Sequence, residues 1–502
     1  MGETNIEGLF AVFKSWFVQT VAAVGFLYVV LKVCRRVRQK SGRRPPGPPS
    51  LPLIGHLHHL VFGFSHTLAK IAEKYGAIIC LDLGTVPVVL VSSQDMAREI
   101  LKIQDHIFAS RPKTLLGDLG KGLVFSPLND HFRLVRKVCT TQLLSQQRID
   151  SLKEMRRESL LKTMWIAFEE GHKIRCINLI DIMREMPMSI TTRMVIRKGA
   201  GAHNQDCIKI MIEVTSSEVF FLEDFFPWLK LLDLSGHIKR LKMLGEKYSD
   251  IMESIIDNRL KEKTNSKSYN EEEFLDVLLT TSDFTRNQVK YLILDIILGG
   301  TNTNSDTTVW AITELLRHQS ELDDVIGKER LVEEADLQQL EYPQAVVKET
   351  LRLHPTVVFG AHCPMEATKV AGYDIPANTR MIVDLYAISR DPKVWENCLE
   401  FDPSRFLNSP IDVKGQHYEV LPFSSGRRKC PGMNLGLLSV TYNLAQLVHA
   451  CSITLPEGLT HLDVDVEEEF GLTLARWNPL NLLITRRPSD VYHKAGLNVI
   501  GQ

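Results

Sequence analysis

Residues 422–432 read PFSSGRRKCPG, and this stretch decides how the rest of the chain is interpreted. It places one thiol, Cys430, behind three consecutive cations and between glycine and proline residues. The thiolate rather than the thiol ligates metals, and neighbouring cations lower the pKa of a thiol. The helical pattern after Gly432 also puts the cysteine beside a helix N-terminus, where the dipole favours an anion. The stretch therefore predicts an activated thiolate, as a nucleophile or as a metal ligand.

The spacing of other ligands narrows the choice of metal. Zinc sites take several Cys or His ligands at short spacing, and none lies near Cys430. The nine cysteines are scattered, are odd in number and form no CxxC pair, which favours a reducing compartment. A lone thiolate with adjacent cations suits a haem iron, because the cations can meet the haem propionates.

Composition sets broad limits. The chain has 502 residues, of which 44% are hydrophobic and 24% charged, as in globular proteins with a large core. Its formal net charge of −1 gives no basic bias towards nucleic acid.

The N-terminal region is typical of a membrane anchor. Residues 15–31 carry no charge, and seven Lys and Arg residues follow between positions 32 and 44. A cleavable signal peptide is the alternative, but the small-residue cleavage pattern is missing. We expect an anchor at 1–34 with the bulk of the chain in the cytosol. The basic and Pro-rich segment 35–52 predicts a rigid hinge, with a disordered linker as the alternative.

The remainder, residues 53–502, predicts one domain that is mainly α with a small β portion. Residues 77–93 are β-branched with Gly84 and Pro87 as turn-formers, which predicts a hairpin. Helical patterns dominate from 94 to 355, for instance at 149–168 and 238–261. Strand-like sequence returns at 367–386, and a long helix is predicted after Gly432.

The cysteine stretch resembles a known family. The haem-binding signature of cytochrome P450 enzymes, F-x-x-G-x-R-x-C-x-G, is matched at every fixed position by Phe423, Gly426, Arg428, Cys430 and Gly432. The resemblance implies a triangular, helix-rich prism with a small β-lobe that binds haem b. It implies that Cys430 is the axial ligand of the iron, that Arg428 binds a haem propionate, and that Gly432 leaves room for the porphyrin.

Two further stretches agree with this resemblance. The segment KETLRLHP at 348–355 places Glu349 and Arg352 on one helix face, which by itself indicates a surface ion pair. The family carries E-x-x-R on this helix, with an arginine partner from a motif like F-x-P-x-R-F. Here FDPSRF at 401–406 supplies Arg405, so the resemblance implies a buried structural network behind the haem.

Residues 292–318 predict a long helix that is interrupted at Gly299-Gly300, with a turn as the alternative. In the family this is the distal helix, with a pattern like A-G-x-D-T in which the Thr hydroxyl helps to deliver protons. Thr303 matches that Thr, but Asn302 replaces the acid and cannot ionise. Asp306, one turn further, is a hypothetical substitute.

Three other residues bear on the haem by resemblance. The segment HFRLVRK at 131–137 stands where the family carries W-x-x-x-R. Arg136 then binds a propionate, and Phe132 replaces the usual Trp. His362 falls where related sequences place a propionate-binding Arg or His, with a loop histidine that has no such task as the alternative.

The resemblance covers residues 45–485, and in detail the sequence is similar to the plant microsomal enzymes of the family. It implies a single-pass protein of the endoplasmic reticulum that receives electrons from NADPH through cytochrome P450 reductase. A basic surface would suit that acidic partner and is expected at Arg133, Lys137, Arg427 and Lys429. After His318 about two helical turns, or ~7 residues and ~10 Å of helix, are missing relative to the family pattern.

The implied reaction is hydroxylation of a lipophilic or aromatic secondary metabolite with O2. Substrate contacts are expected from residues 112–128 and from apolar positions that include Leu298, Gly299, Val358 and Leu472. Two alternatives remain open. One is a haem-thiolate isomerase or dehydratase that needs no reductase, which Asn302 favours. The other is a degenerate, non-catalytic haem protein, which the shortening after His318 favours.

Overall fold

The computed structural model describes residues 43–59, 64–119, 122–174, 176–195, 221–231, 233, 235–265, 274–281, 284–318, 331–471 and 473–486. The predicted anchor at 1–34 and the shortening at 319–330 lie outside these residues. Among the described helices, none combines the length and the apolar character needed to cross a bilayer.

Helices make up most of the described chain. They are α1 (Phe64–Tyr75), α2 (Gln94–Arg98), α3 (Asp105–Phe108), α4 (Leu115–Leu119), α5 (Asp130–Val138), α6 (Gln146–Ser151), α7 (Lys153–Ile174), α8 (Leu179–Val195), α9 (Leu222–Phe225), α10 (His237–Asn265), α11 (Phe274–Thr280), α12 (Arg286–Arg317), α13 (Glu341–Leu353), α14 (Leu385–Ile388) and α15 (Met433–Ala450).

The strands are short and form four small sheets. They are β1 (Ile78–Leu83), β2 (Val86–Val91), β3 (Ile177–Asn178), β4 (Phe359–His362), β5 (Thr368–Val370), β6 (Tyr373–Ile375), β7 (Arg380–Asp384), β8 (Cys451–Thr454), β9 (Glu468–Phe470), β10 (Leu474–Arg476) and β11 (Asn481–Arg486). The largest sheet has the order β1-β2-β7-β4, with β2 and β7 parallel and the other pairs antiparallel. The prediction of a mainly α chain with a small β portion is confirmed.

The main hydrophobic core lies among α7, α8, α12, α13 and α15. Helix α8 crosses α12 closely at Gly300, where a Cβ atom would lie only 2.6 Å from Cγ2 of Thr191. The core therefore fixes α12 along its length, and with it the residues that the site needs.

Helix α12 is continuous, so the predicted long helix at 292–318 is confirmed, and Gly299-Gly300 neither interrupts it nor forms the turn that was its alternative. Its polar residues hydrogen-bond to carbonyl groups of the preceding turn instead of leaving the helix. Thr303 Oγ1 donates to Gly299 O at 2.7 Å, and Asn304 Nδ2 donates to Gly300 O at 2.6 Å. A capping box between Thr285 and Gln288 begins the helix. Side chains with poor helix propensity are thus satisfied locally.

In its described part, residues 43–52, the predicted hinge packs against the domain. The amide of Cys80 in β1 donates to the carbonyl of Pro46 at 2.7 Å. The guanidinium of Arg44 donates to Cys80 Sγ and, at 2.6 Å, to Asp82. Residues 43–50 therefore lie along the edge of the largest sheet.

Candidate active site

The cysteine loop, residues 422–432, has a defined backbone geometry. The amide of Cys430 donates to the carbonyl of Phe423 at 2.9 Å, which closes the loop on itself. Gly426 has a φ of +66°, and a Cβ atom there would overlap the carbonyl oxygen of Leu101. Only glycine combines that conformation with so close an approach. The Gly of the motif therefore seats the loop against the residues between α2 and α3.

The charge balance at Cys430 differs from the prediction. Burial raises the pKa of its thiol, whereas the Gly432 amide, Arg136 and Lys429 lower it, in that order of size. Burial prevails, so the polypeptide alone does not hold this group as a thiolate. A bound metal cation supplies the additional positive charge that a thiolate ligand requires.

The neighbouring arginines have other partners, although the sequence predicted that they activate the thiol. Arg427 forms an ion pair with Asp105 at 2.7 Å. Arg428 donates to the carbonyl groups of Ala109 at 2.6 Å, Leu123 at 3.2 Å and Ser126 at 2.6 Å. Proximity in sequence was misleading here, because these side chains point away from the sulfur. Arg136, more distant in sequence, takes their place.

Three guanidinium groups and one neutral imidazole form what we call the cationic cluster beside the cysteine loop: Arg111, Arg136, Arg428 and His362. Burial, followed by repulsion from Arg111 and Arg136, lowers the pKa of Arg428 to about 8. Burial also lowers the pKa of Arg111 to about 10. None of the three guanidinium groups forms an ion pair with a residue in the described part of the chain. Arg428 is buried and Arg111 and Arg136 are half-buried, and cations withdrawn from water without a counter-charge are costly, so this arrangement is typical of an anion site.

Sequence reasoning missed Arg111. Its Nε donates to the carbonyl of Val124 at 2.9 Å, and its Nη1 donates to the carbonyl of Ala361. The only signal in the sequence is a single cation inside the segment FASRP, at 108–112. Its position depends on strand β4, which lies about 250 residues further along the chain.

Two other predicted cofactor residues lie within the cluster. His362 is buried, and its Nδ1 lies 3.2 Å from the carbonyl oxygen of Phe108. Burial, with repulsion from Arg111, lowers its pKa to about 3, so the ring is neutral. The ring of Phe132 is buried under the guanidinium of Arg428, whose Cζ lies 3.7 Å from the ring centroid.

Open space lies on both sides of the position where the sulfur points. A Cβ atom at Gly432 would meet only Cys430 Sγ, at 4.0 Å. A Cβ atom at Gly299, on α12, would meet nothing within 4 Å, although Gly299 lies in the middle of the longest described helix. Thr303 lies one turn after Gly299 on the same face of α12. A Cβ atom at Gly436 would lie 3.8 Å from Cε1 of Phe423 and 4.0 Å from Oδ1 of Asn304, so the two predicted stretches lie close together, and the open space beside Gly432 and Gly299 is the candidate cavity.

The polar residues after Gly299 are placed differently from one another. Asn302 keeps accessible surface and has no hydrogen-bond partner among the described residues. Asp306 is buried, and its Oδ2 accepts a hydrogen bond from Thr473 Oγ1 at 2.6 Å. Burial raises the pKa of Asp306 to about 6. The structure joins Asp306 to Thr473 and not to Thr303.

The predicted ion-pair network is assembled away from the cavity. Glu349 and Arg352 are fully buried and form two hydrogen bonds of 2.7 Å. The remaining donors of Arg352 reach the carbonyl groups of Ser389, Cys398 and Glu400, so all five of its N–H groups are used. In addition, Arg405 Nε lies 3.4 Å from Glu349 Oε1.

Sequence comparison agrees with this geometry. The sequence model of the family described as Cytochrome P450 matches residues 45–477, which is most of the chain. The chain belongs to the cytochrome P450 family. Cytochrome P450 76C2 from Arabidopsis thaliana is 36% identical, over 90% of this chain and 94% of that protein. Germacrene A hydroxylase from Saussurea costus is 36% identical, over 93% of this chain and 99% of that protein. Amorpha-4,11-diene 12-monooxygenase from Artemisia annua is 35% identical, over 94% and 99% respectively.

This cytochrome P450 is a monooxygenase whose family uses a haem iron. The residues present fit that group. Cys430 offers a sulfur ligand with clear space above it, and the cationic cluster offers uncompensated positive charge to carboxylates. The fit rests on these two features together, because a cavity alone would accept many ligands.

The residues that were predicted to contact the substrate of this cytochrome P450 are only partly placed as expected. Leu298 is half-buried beside the exposed Gly299. Val358 packs into a small core with Tyr386 and Leu474, whereas its neighbour Val357 is 39% exposed. Leu472 lies outside the described residues. Asp295, which the sequence analysis did not select, lies one turn before Gly299 on α12.

Proposed function

We propose that this cytochrome P450 hydroxylates a lipophilic plant secondary metabolite with O2 and electrons that NADPH supplies through cytochrome P450 reductase. One observation carries the proposal: the open space beside Gly432 and Cys430 Sγ adjoins a cluster of three buried or half-buried guanidinium groups that form no ion pair within the described chain. A nucleophilic cysteine would need a lowered pKa, whereas burial raises that of Cys430, and a zinc site would need more ligands.

In this proposal Cys430 would be the residue that ligates the haem iron. The haem, when bound, supplies oxygen reduction and C–H oxidation, and the protein supplies position and charge. Phe423 fixes the loop through its carbonyl, and Gly432 leaves room for the flat ring. Gly426 seats the loop against the neighbouring turn.

The cationic cluster would hold the propionates. Arg428 uses three of its five N–H groups on backbone carbonyls and keeps two for a ligand. Arg136 donates to no described residue, so its whole guanidinium is available for an anion. His362, held neutral, contributes a ring hydrogen bond rather than a charge. Phe132 supports Arg428 from below and is proposed as a cofactor residue through that contact.

Proton movement would depend on two residues of α12. Thr303 donates its hydroxyl hydrogen to Gly299 O, which leaves the lone pairs of its oxygen available to a water molecule in the cavity. Asn302 can orient that water but cannot release a proton by ionising. The pair therefore holds water in position, and the proton must come from solvent through the cavity.

The proposed substrate class rests on the relatives and on the wall of the cavity. Two relatives are named for the oxidation of terpene hydrocarbons, germacrene A and amorpha-4,11-diene. In this chain, Leu298 and Val357 present apolar surface near Gly299 and the end of α13. Apolar walls favour ligands of the same character.

The proposed reductase surface is less basic than its sequence indicates. Arg133 pairs with Asp130 at 2.6 Å, and Arg427 pairs with Asp105. Lys137 is exposed and forms no ion pair within the described chain. Steering of an acidic partner would therefore depend mainly on Lys137 and the half-buried Lys429.

We also propose a single-pass anchor in the endoplasmic reticulum membrane, with residues 53–502 in the cytosol. An exposed apolar surface supports this. Leu53 is 47% exposed and Leu231 is 89% exposed. Their segments meet at the β1–β2 turn, where Ile54 O accepts the Gly84 amide and Phe225 O accepts the Thr85 amide. Such a patch next to a predicted anchor favours contact with lipid.

The test uses the full chain in microsomes together with a plant cytochrome P450 reductase. We expect the reduced protein to show the thiolate-type Soret band with carbon monoxide. Germacrene A and amorpha-4,11-diene are then offered with and without NADPH and O2. A hydroxylated product that needs both reagents supports the proposal. Conversion of a substrate without NADPH would instead establish the isomerase or dehydratase alternative.

The matched control is Cys430→Ala beside Cys139→Ala, a buried cysteine that is not in the loop. Only the first variant should lose the thiolate band. A retained band in Cys430→Ala would overturn the ligand assignment. A wild-type chain that lacks the thiolate band would instead support the alternative of a non-catalytic protein.

A further inference from the structure

A second cavity, which we call the α1–β9 pocket, opens on the surface between α1 and the β9–β10 hairpin. Its volume is about 480 Å³. It is lined by His66, Val466, Glu467, Glu468 and Trp477. Small-molecule sites span roughly 300–1,000 Å³, so the pocket is large enough for a small ligand. None of its lining residues belongs to α12, the cysteine loop or the cationic cluster, and it is therefore distinct from the candidate active site.

One wall of the α1–β9 pocket is a carboxylate whose charge is already matched. The side chain of Glu468 is 9% exposed, and its Oε2 accepts a hydrogen bond from the Tyr386 hydroxyl at 3.0 Å. His66 Nε2 lies 3.1 Å from the same oxygen, and Arg390 Nη2 lies 3.2 Å from Oε1. Burial raises the pKa of Glu468, but hydrogen bonds from His354 and His66 and the charge of Arg390 outweigh burial and hold the pKa well below its usual range. Glu468 is therefore a fixed, ionised part of the wall.

Glu467 and Trp477 stand side by side at the open side of the pocket. The register of the hairpin pairs Arg476 with Glu468, and the ladder continues by one residue because the Trp477 amide donates to Glu467 O at 2.9 Å. Residues directly opposite each other on antiparallel strands point to the same face, with their Cβ atoms about 4.5–5.5 Å apart. The hairpin thus places an indole next to a carboxylate.

Both side chains keep binding capacity that the fold does not use. Trp477 is 62% exposed, although burial of an indole is strongly favourable. Glu467 is exposed and forms no ion pair within the described part of the chain, and Asn478 Nδ2 lies 3.4 Å from its Oε2. An open aromatic face and an unmatched charge therefore border the same volume.

This combination selects an organic cation. Among aromatic side chains, Trp offers the best face to an ammonium or quaternary ammonium group. Glu467 supplies the counter-charge, and the half-buried Val466 supplies an apolar contact for alkyl groups on the cation. The two carboxylates disfavour anions, and a neutral ring would leave Glu467 unmatched.

We propose that the α1–β9 pocket binds an alkylammonium group, with Trp477 and Glu467 as its contacts. A soluble amine and the headgroup of a choline phospholipid both carry such a group. The proposal concerns neither the haem nor oxidation, so its failure would be distinguishable from failure of the proposed function.

The experiment uses the full-length, haem-loaded protein in dodecyl maltoside, a detergent without charge. Choline is the probe, and 3,3-dimethyl-1-butanol, which has the same shape without the charge, is its control. Saturation-transfer NMR of the methyl signals measures binding of each compound. We expect saturable binding of choline and binding of the neutral compound that is weaker by about tenfold. Equal binding of the two compounds, or no binding of choline, would overturn the proposal.

Variants locate the site. Trp477→Leu should weaken choline binding by about tenfold, and Glu467→Gln by about threefold, because an exposed carboxylate is partly screened. Trp228→Leu and Glu469→Gln are the matched controls. Trp228 is 57% exposed and Glu469 is exposed on β9, but neither lines the pocket. Both controls should bind choline as wild type does. An equal loss in a control, or wild-type affinity in Trp477→Leu, would overturn the assignment.

Mixed micelles distinguish the two sources of the cation. Phosphatidylcholine is added to one sample and a galactolipid, which has no ammonium group, to another. Loss of choline binding with phosphatidylcholine alone would assign the pocket to a lipid headgroup, and unchanged choline binding in both samples would assign it to a soluble amine. Equal loss with the galactolipid would contradict recognition of the ammonium group.

Discussion

The ion-pair network at Glu349, Arg352 and Arg405 and the cationic cluster at Arg111, Arg136, Arg428 and His362 are both buried groups of charge, but they differ in one respect. Every N–H of Arg352 has an acceptor, and its charge is matched by Glu349. In the cluster the hydrogen bonds go to neutral carbonyls, and no carboxylate in the described part of the chain forms an ion pair with these guanidinium groups. The first group is complete as folded, whereas the second requires an anion.

The largest expected effect on stability comes from removing one partner of the ion-pair network. Arg352→Leu leaves the buried Glu349 with the amide of Asp402 at 2.9 Å and the longer contact to Arg405 as its remaining partners, and we expect a loss of about 3–5 kcal/mol in the free energy of unfolding. Urea unfolding measures it. A loss below about 1 kcal/mol would show that the network is not a structural requirement.

A smaller effect is expected where the cluster meets its anion. Arg111→Gln keeps hydrogen-bond donors for the neighbouring carbonyls but removes the charge. Haem should dissociate roughly 10–100 times faster, which corresponds to one charged hydrogen bond. Transfer of haem to excess apomyoglobin measures the rate. Lys137→Gln removes an exposed cation and should leave the rate unchanged; equal effects would contradict the cluster assignment.

Lowering the pH should distinguish the cationic cluster from the ion-pair network, because only the cluster contains His362. Its folded pKa is about 3, because burial and Arg111 disfavour the charged ring. Its unfolded pKa is about 6.5. Between these values the unfolded chain binds a proton that the folded chain does not, so stability falls as pH falls, by roughly 1 kcal/mol per pH unit. His362→Gln should flatten this slope between pH 6.5 and 4.

Urea unfolding across that pH range measures the slope. Haem-loaded protein should show a shallower slope than haem-free protein, because propionates beside His362 would favour its charged form. Identical slopes with and without haem would mean that no anion lies near the ring.

The smallest effect is expected at an exposed pair with the same spacing as Glu349 and Arg352. Arg133 and Asp130 are three residues apart on α5, and their side chains are 63% and 99% exposed. Solvent screens such pairs. The melting temperature of Arg133→Ala should match that of wild type. A clear drop would show that spacing rather than burial sets the contribution of an ion pair.

Local features were the ones that the sequence predicted well. The cysteine loop is contiguous, the Glu349–Arg352 pair follows from helical spacing, and the hairpin at 77–93 follows from its turn residues. Each depends on residues that are close in sequence. The resemblance to cytochrome P450 enzymes, which the family comparison confirms, supplied the arrangement of the remainder.

What could not be predicted depends on contacts between distant segments. Arg111 joins the cluster only because β4 lies beside it, and Asp295 accepts the amides of Leu123 and Val124, which lie about 170 residues away in the sequence. Arg427 seemed close to the sulfur, but Asp105 draws it away. In α12, side-chain hydrogen bonds to the preceding turn overcame the poor helix propensity of Thr303 and Asn304.

The hinge has a consequence for how the domain can be handled. Strand β1 is at the edge of the largest sheet, and residues 46–56 cover that edge. Pro46 O accepts the amide of Cys80, and the backbone of His56 pairs with Asp82. An uncovered strand edge is a template for another chain. A form cut back to residue 57 for greater solubility would therefore expose a row of free amides and tend to polymerise edge to edge.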